Sequence, residues 1–235
     1  MHTKPIENNG IQGGAPAIGI IAGTATDTRF GLDFLAARQV PGIGLAISAS
    51  PQAQTQLQAL GRDELTRQLI DAIARLENAG ASAAMIYCNS LSGAVDMTAV
   101  RAAVPIPVIS PLDVYAELTQ RYRNFGLLAA NCQSCANIER EILAGNPSAK
   151  VIGIGNLQIV EDIEDGMPAS MIVQQHALDD LAAALVKSGV QILILGCTHF
   201  DYFYEELLLH CDGIRLFLPS ERMLAILQER VVQAA

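Results

Sequence analysis

Seven short apolar runs punctuate the chain: AIGIIAG (17–23), GIGLAIS (42–48), ASAAMIYC (81–88), PIPVIS (105–110), NFGLLAA (124–130), KVIGIG (150–155) and VQILILGC (190–197). Their near-continuous aliphatic character predicts strands buried on both faces. Between them, LQALGRDELTRQLIDAIARLENAG (57–80) and MIVQQHALDDLAAALVKSG (171–189) repeat apolar residues at i, i+3, i+4 and i+7. That spacing predicts amphipathic helices, and each stretch ends on a glycine, Gly80 and Gly189, the usual helix stop. Strands alternating with helices imply parallel sheets covered by helices, the α/β class.

The pattern also repeats. IGIIAGTATDTRFGLDFL resembles FGLLAANCQSCANIEREI: an apolar strand, a turn of small residues, then a helix. Each half continues with a second short strand, a long helix, a glycine stop and a strand ending in cysteine. Gly19 lies 69 residues before Cys88, and Gly126 lies 71 residues before Cys197. Two pseudo-symmetric α/β lobes with a cleft between them follow from this reading. The expected division is a flexible N-terminal arm over 1–16, a first lobe over 17–110 plus 212–235, and a second lobe over 111–211. The last segment, RLFLPSERMLAILQERV, predicts a short strand and a helix capped by Ser220 that returns to the first lobe.

Composition narrows the partners. The 235 residues carry a net charge of −9, without any Lys/Arg cluster and with 5% aromatic residues. Nucleic acid and anionic membranes are therefore not expected as partners. No apolar run approaches the roughly 18 to 20 residues of a membrane span, and the opening MHTKPIENNGIQGGAP lacks the apolar core of a signal peptide. Five cysteines, an odd number, argue against a disulfide framework and for reduced thiols in the cytoplasm.

Two of those thiols stand at informative places. In parallel sheets, ligands bind at the carboxyl ends of strands beside helix N-termini. Cys88 and Cys197 both end a strand, and each is followed by polar residues: Asn89 and Ser90, then Thr198 and His199. Inverting a stereocentre needs a base on one face of the carbon and an acid on the other, and two opposed thiols can exchange those roles. A thiol is mostly protonated at neutral pH, so it needs help from a neighbouring group, and His199 is placed to assist Cys197. Backbone N–H groups around 89–90 and 198–199 could hold a substrate carboxylate.

Other residues receive plainer readings. Cys132 and Cys135 form a CxxC at an expected helix start, read as small turn residues and not as a redox or zinc site, since no second ligand pair accompanies them. Asp27 is read as a helix cap, His176 as a partly solvated helix residue, and His210 and Cys211 as structural. No phosphate-binding GxxxxGK[ST] occurs, and Lys4, Lys150 and Lys187 sit at no strand tip. Neither a cofactor nor a metal is expected.

MIYCNSLSG and ILGCTHF resemble the two cysteine motifs of the aspartate/glutamate racemase family, cofactor-independent enzymes built from two pseudo-symmetric α/β lobes. The resemblance covers most of the chain from Ala17 onward. It implies that Cys88 and Cys197 are the acid/base pair, assisted by His199 and by Glu161 in LQIVEDIEDG, and that Thr24, Asn89, Ser90 and Thr198 bind substrate. It also implies a homodimer, and aspartate or glutamate as substrate. This chain departs from glutamate-type members by Ala22-Gly23-Thr24 in place of their Asp-Ser-Gly, and SASPQAQTQ has no Pro-Tyr-Gly. A hydantoin racemase or decarboxylase on the same fold, a small-ligand binding protein, and a thiol-redox protein are the alternatives.

Overall fold

The computed structural model describes residues 5–11, 16–57 and 61–234. In chain order the elements are β1 (Glu7–Asn8), β2 (Ala17–Ala22), α1 (Ala25–Ala36), β3 (Gly42–Ala46), α2 (Pro51–Leu57), α3 (Arg62–Asn78), β4 (Ala81–Tyr87), α4 (Asn89–Ala94), α5 (Met97–Ala103), β5 (Val108–Ile109) and α6 (Pro111–Leu118). They continue with β6 (Asn124–Ala129), α7 (Cys132–Gly145), β7 (Lys150–Gly155), α8 (Leu157–Glu164), α9 (Ala169–Gln175), α10 (Leu178–Lys187) and β8 (Ile192–Leu195). A 3-10 segment (Thr198–Phe203), α11 (Tyr204–Leu208), β9 (Arg215–Phe217) and α12 (Pro219–Ala234) complete the chain. Each of the seven apolar runs contains a strand. Among the described residues, no helix is long and apolar enough to cross a membrane.

Two units divide this series, Met1–Asp113 with Ser220–Ala235, and Val114–Pro219. The first holds a sheet of order β1-β3-β2-β4-β5, the second a sheet of order β7-β6-β8-β9. With β1 set aside, both follow one plan: the unit's first strand lies central, its second on one side, its third and fourth on the other. All pairings in this plan are parallel, whereas β1 joins β3 antiparallel. The shared strand order is the structural counterpart of the sequence repeat.

Parallel strands need cover on both faces, and the helices supply it for the inner strands; the edge strand β7, expected to be buried on both faces, is largely exposed. In the first unit the amphipathic α3 lays Leu69, Ile73 and Leu76 against Ile21, Ala84 and Ile86. In the second, Phe125, Leu127, Ile192 and Ile194 are fully buried, as are Ile138 and Ile142 of α7.

The structure redraws three expected boundaries. β9 pairs with β8, Leu193 beside Leu216, so 212–219 completes the second sheet and only α12 returns to the first unit. Of the N-terminal arm, 1–4 and 12–15 lie outside the described residues, but residues 5–11 are tied down. Glu7 and Asn8 pair with Gly44 and Ile43, and the Asn9 side chain accepts from Gly42 N–H (3.0 Å) and donates to Val40 C=O (2.8 Å). The helical stretch 171–189 is two helices, α9 and α10, because Ala177 between them adopts a left-handed conformation (φ 47°, ψ 45°). An alanine there costs about 1–2 kcal/mol, so surrounding contacts must hold it.

Candidate active site

Both thiols stand where their sheet reverses direction. The chain leaves β2 for β3 on one side, while β4 lies on the other; β6, β7 and β8 repeat the arrangement. Such a switch point opens a crevice at the carboxyl edge, the usual ligand site of parallel sheets. Cys88 follows β4 and Cys197 follows β8 after Gly196.

In the first unit, register places Ala22 beside Tyr87, so the turn Gly23-Thr24 is next to Cys88. Thr24 caps α1: its Oγ1 accepts from Asp27 N–H at 3.2 Å, and Asp27 Oδ2 accepts from Gly23 N–H at 3.3 Å. This reciprocal cap holds two orphan backbone donors at once. Ser48 Oγ donates to Gly23 C=O at 2.7 Å, pinning the same turn from β3's end. Thr24 and Asp27 are both buried, and the capping geometry agrees with the sequence reading of Asp27.

Cys88 is the N-cap of α4, with extended backbone. Its sulfur accepts from Leu91 N–H at 3.4 Å and lies 3.3 Å from Ser90 Oγ. Ser92 Oγ donates to Cys88 C=O at 2.7 Å and stiffens the turn. Negative charge forming on this sulfur meets an N–H and a hydroxyl already in position. Asn89 and Ser90 are buried beside it.

In the second unit, Gly196 has no room for a side chain: a Cβ there would press on Ile138 and Leu128 C=O. Cys197 is half-buried, and its sulfur lies 3.7 Å from His199 Nδ1. His199 is buried, and its Nε2 lies 2.8 Å from Glu164 Oε1. The carboxylate accepts from Nε2–H, which leaves Nδ1 as the acceptor facing the thiol. Cysteine, imidazole and carboxylate thus form a chain along which the thiol proton can pass to Nδ1. Thr198 is buried next to this chain.

The carboxylate at His199 is Glu164, three residues beyond Glu161, which the motif resemblance favoured. The run EDIED offers four acids, and only the register of α8 selects one. Counting helical turns from its cap, Asn156, whose Oδ1 accepts from Gln158 N–H at 3.0 Å, is the signal that could have found it.

The turn after β6 adds residues that sequence reasoning passed over. Asn131 caps α7 by accepting from Ser134 N–H at 2.8 Å. Ser134 Oγ is buried and has no hydrogen-bond partner among the described residues. A buried hydroxyl of this kind is an exception to the usual pairing of buried polar groups. Cys132 is exposed and Cys135 buried, both as free thiols. Burial pushes the Cys135 thiol up to about 11, helped by the nearby Cys132 and Glu139. His176, expected to be partly solvated, is half-buried and lies against Asp162, with Nε2 2.8 Å from Oδ2. His210 stays exposed, 3.6 Å from Glu206, and Cys211 is buried with its thiol raised to about 11.

The sequence profile of the Asp/Glu/hydantoin racemase family matches residues 18–220, spanning both sheets and both thiols. This chain belongs to that family. Among curated relatives, the glutamate racemase of Shewanella loihica is 31% identical over 146 residues, 60% of this chain and 54% of its own length. The chain thus spans about half the length of the curated relatives it matches. Among solved structures, glutamate racemase from Francisella tularensis in complex with D-glutamate superposes with a TM-score of 0.67 at 20% identity, covering 94% of this chain and 82% of that one. An aspartate racemase homologue from Pyrococcus horikoshii OT3 gives 0.63 at 20% identity, covering 92% and 99%. These likenesses establish the racemase fold, and the Asp/Glu/hydantoin racemase family supplies the frame for its chemistry.

Proposed function

We propose that the chain is an amino-acid racemase that inverts aspartate or glutamate with its own thiols and without pyridoxal phosphate. One cysteine, as thiolate, takes the α-proton: the Cα–H bond breaks, its electron pair stays on carbon, and an S–H bond forms. The other cysteine, as thiol, returns its proton to the opposite face of that carbon and becomes thiolate. The net result is inversion, and the roles swap for the reverse direction.

The reading is carried by one observation. Each unit, built on the same strand order, offers a cysteine after the third strand of that order, at the switch point, with hydrogen-bonding neighbours already aimed at the sulfur. Cys88 has an N–H and a hydroxyl; Cys197 has the His199–Glu164 pair. An α-carbanion beside a carboxylate is costly in water, so fixed donors must absorb the developing charge. Asn89, Ser90, Thr24 and Thr198 are the polar groups at hand: their N–H and O–H groups can donate to the carboxylates of an acidic amino acid, and their oxygens can accept from its ammonium.

The test is α-proton exchange. The purified protein, given D- and L-aspartate, D- and L-glutamate and 5-substituted hydantoins in D2O, should deuterate the α-carbon of one acidic amino acid and racemise it without added cofactor. Cys88→Ala and Cys197→Ala should each lower racemisation by at least ~100-fold, the low end of general acid–base contributions. Exchange confined to hydantoins would move the substrate to that class. Full activity in both variants would end the two-thiol mechanism.

A further inference from the structure

Buried Asp162 and half-buried His176 form a carboxylate–imidazole pair on the second unit, and among the described residues neither hydrogen-bonds to Cys197 or His199. Asp162 lies in the middle of α8. Its Oδ1 accepts from Gln158 Nε2 (2.8 Å), and its Oδ2 accepts from His176 Nε2 (2.8 Å) and from Gln175 Nε2 (3.3 Å). Gln175 is the last residue of α9 and His176 its C-cap. One carboxylate thereby ties α8 to the end of α9. The Gln158 donor, with smaller help from His176, holds this carboxyl below its ordinary range despite burial.

The other side of the imidazole is equally engaged. His176 Nδ1 lies 3.4 Å from Asn156 Nδ2. Asn156 Oδ1 is committed to capping α8 through Gln158 N–H, so its amide nitrogen must face the ring. Nδ1 is therefore the acceptor and Nε2 carries the proton given to Asp162. A single ring spans the cap of α8 and its second turn. Immediately after it comes Ala177 in its left-handed conformation.

At eight residues, α8 is too short to keep its own shape or position, since isolated helices below about 12 residues are marginal in water. Yet it carries Glu164, two residues past Asp162, and Glu164 sets the direction of His199 at Cys197.

We propose that the Asp162–His176 pair is a positioning element for the Cys197 half of the site, fixing where α8 presents Glu164 to His199. The inference rests on the racemase reading for its kinetic consequence, but its structural claim stands apart from turnover. If the pair only stabilised the fold, loosening it would lower the melting temperature and leave Cys197 chemistry alone. If it positions Glu164, the thiolate at Cys197 forms less readily, while other thiols are unaffected.

The experiment uses the full chain with His176→Phe, which keeps ring volume without the N–H, and His176→Gln, whose Nε2 can still donate to Asp162. Iodoacetamide alkylation of Cys197 is followed from pH 6 to 10 by peptide mass spectrometry, with exposed Cys132 as internal reference. In His176→Phe the Cys197 profile should move to higher pH, with Cys132 unchanged, and His176→Gln should restore it. Racemisation should lose between tenfold and about 100-fold in kcat with KM unchanged, the range of small misplacements at a catalytic group. The primary deuterium isotope effect should rise for the one enantiomer that Cys197 deprotonates. An unchanged Cys197 profile in folded His176→Phe overturns the proposal, as does an equal change in both isotope effects. If His176→Phe fails to fold, Asp162→Asn is put through the same alkylation series with the same required shift. A wild-type protein that racemises nothing, with the Cys197 profile still shifted in His176→Phe, would refute the racemase reading and leave the positioning role standing.

Discussion

Cys197, His199 and Glu164 are positioned as a relay, and their order decides what each can do. The 2.8 Å contact from Glu164 to Nε2 leaves Nδ1 facing the sulfur, so the imidazole can accept the thiol proton. Glu164→Gln should remove that orientation, because an amide can present its own NH2 to Nε2 and reverse the tautomer. We expect kcat to fall by roughly 100-fold or more, in line with general acid–base contributions, whereas Glu161→Gln should stay close to wild type. Steady-state racemisation of the two variants side by side checks this. The placement of both cysteines at strand ends, with the histidine and polar followers beside them, was legible in MIYCNS and ILGCTHF. The choice of acid was not, since EDIED offers near-identical carboxylates and the deciding quantity is an angle around α8. Ser134 was equally hidden: nothing in CQSC distinguishes a buried hydroxyl lacking a partner from a solvated one.

Short helices and tight turns carry this site, and their fit to the sheets depends on a few small residues. Gly155, the last residue of β7, lies under the β6–α7 turn; a Cβ there would collide with the backbone of Asn131 and Cys132. Gly155→Ala should push the cap of α7 off the sheet and cost about 1–3 kcal/mol, the scale of overpacking, at the upper end because backbone cannot rotate away. Chemical denaturation, with Gly61→Ala as a control where a Cβ meets nothing within 4 Å, measures the difference. The seven apolar runs foretold strands correctly because a strand buried on both faces must be aliphatic throughout, although β7, at its sheet's edge, is aliphatic and yet largely exposed. The stretch 171–189 looked like one helix because its 3.6-residue period survives across the break. Its interruption at Ala177 comes directly after His176, whose ring is hydrogen-bonded to Asp162 on another helix, a contact that no local pattern records.

Across the whole chain, two buried thiols make stability depend on pH in a definite direction. Cys135 and Cys211 are both raised from 9.0 to about 11, chiefly by burial. Their folded pKa exceeds the unfolded value, so the folded chain holds more protons between those limits. The associated stability is intact below pH 9 and lost as pH rises towards 11. Melting temperature should therefore drop over that window, and Cys135→Ala with Cys211→Ala should flatten the decline. A decline equally steep in the double variant would mean that other groups control it.

The alternation of strand and helix, the repeat and the two cysteine motifs are local properties of the chain. They follow from burial on both sheet faces and from strand and helix periodicity, so the α/β class and Cys88 and Cys197 could be read directly. Which sheet received β9, how residues 5–11 were tied down, which acid met His199 and where 171–189 broke are matters of contact between residues distant in sequence. Those contacts are set by sheet register and by buried hydrogen-bond partners, and they exist only once the chain has folded.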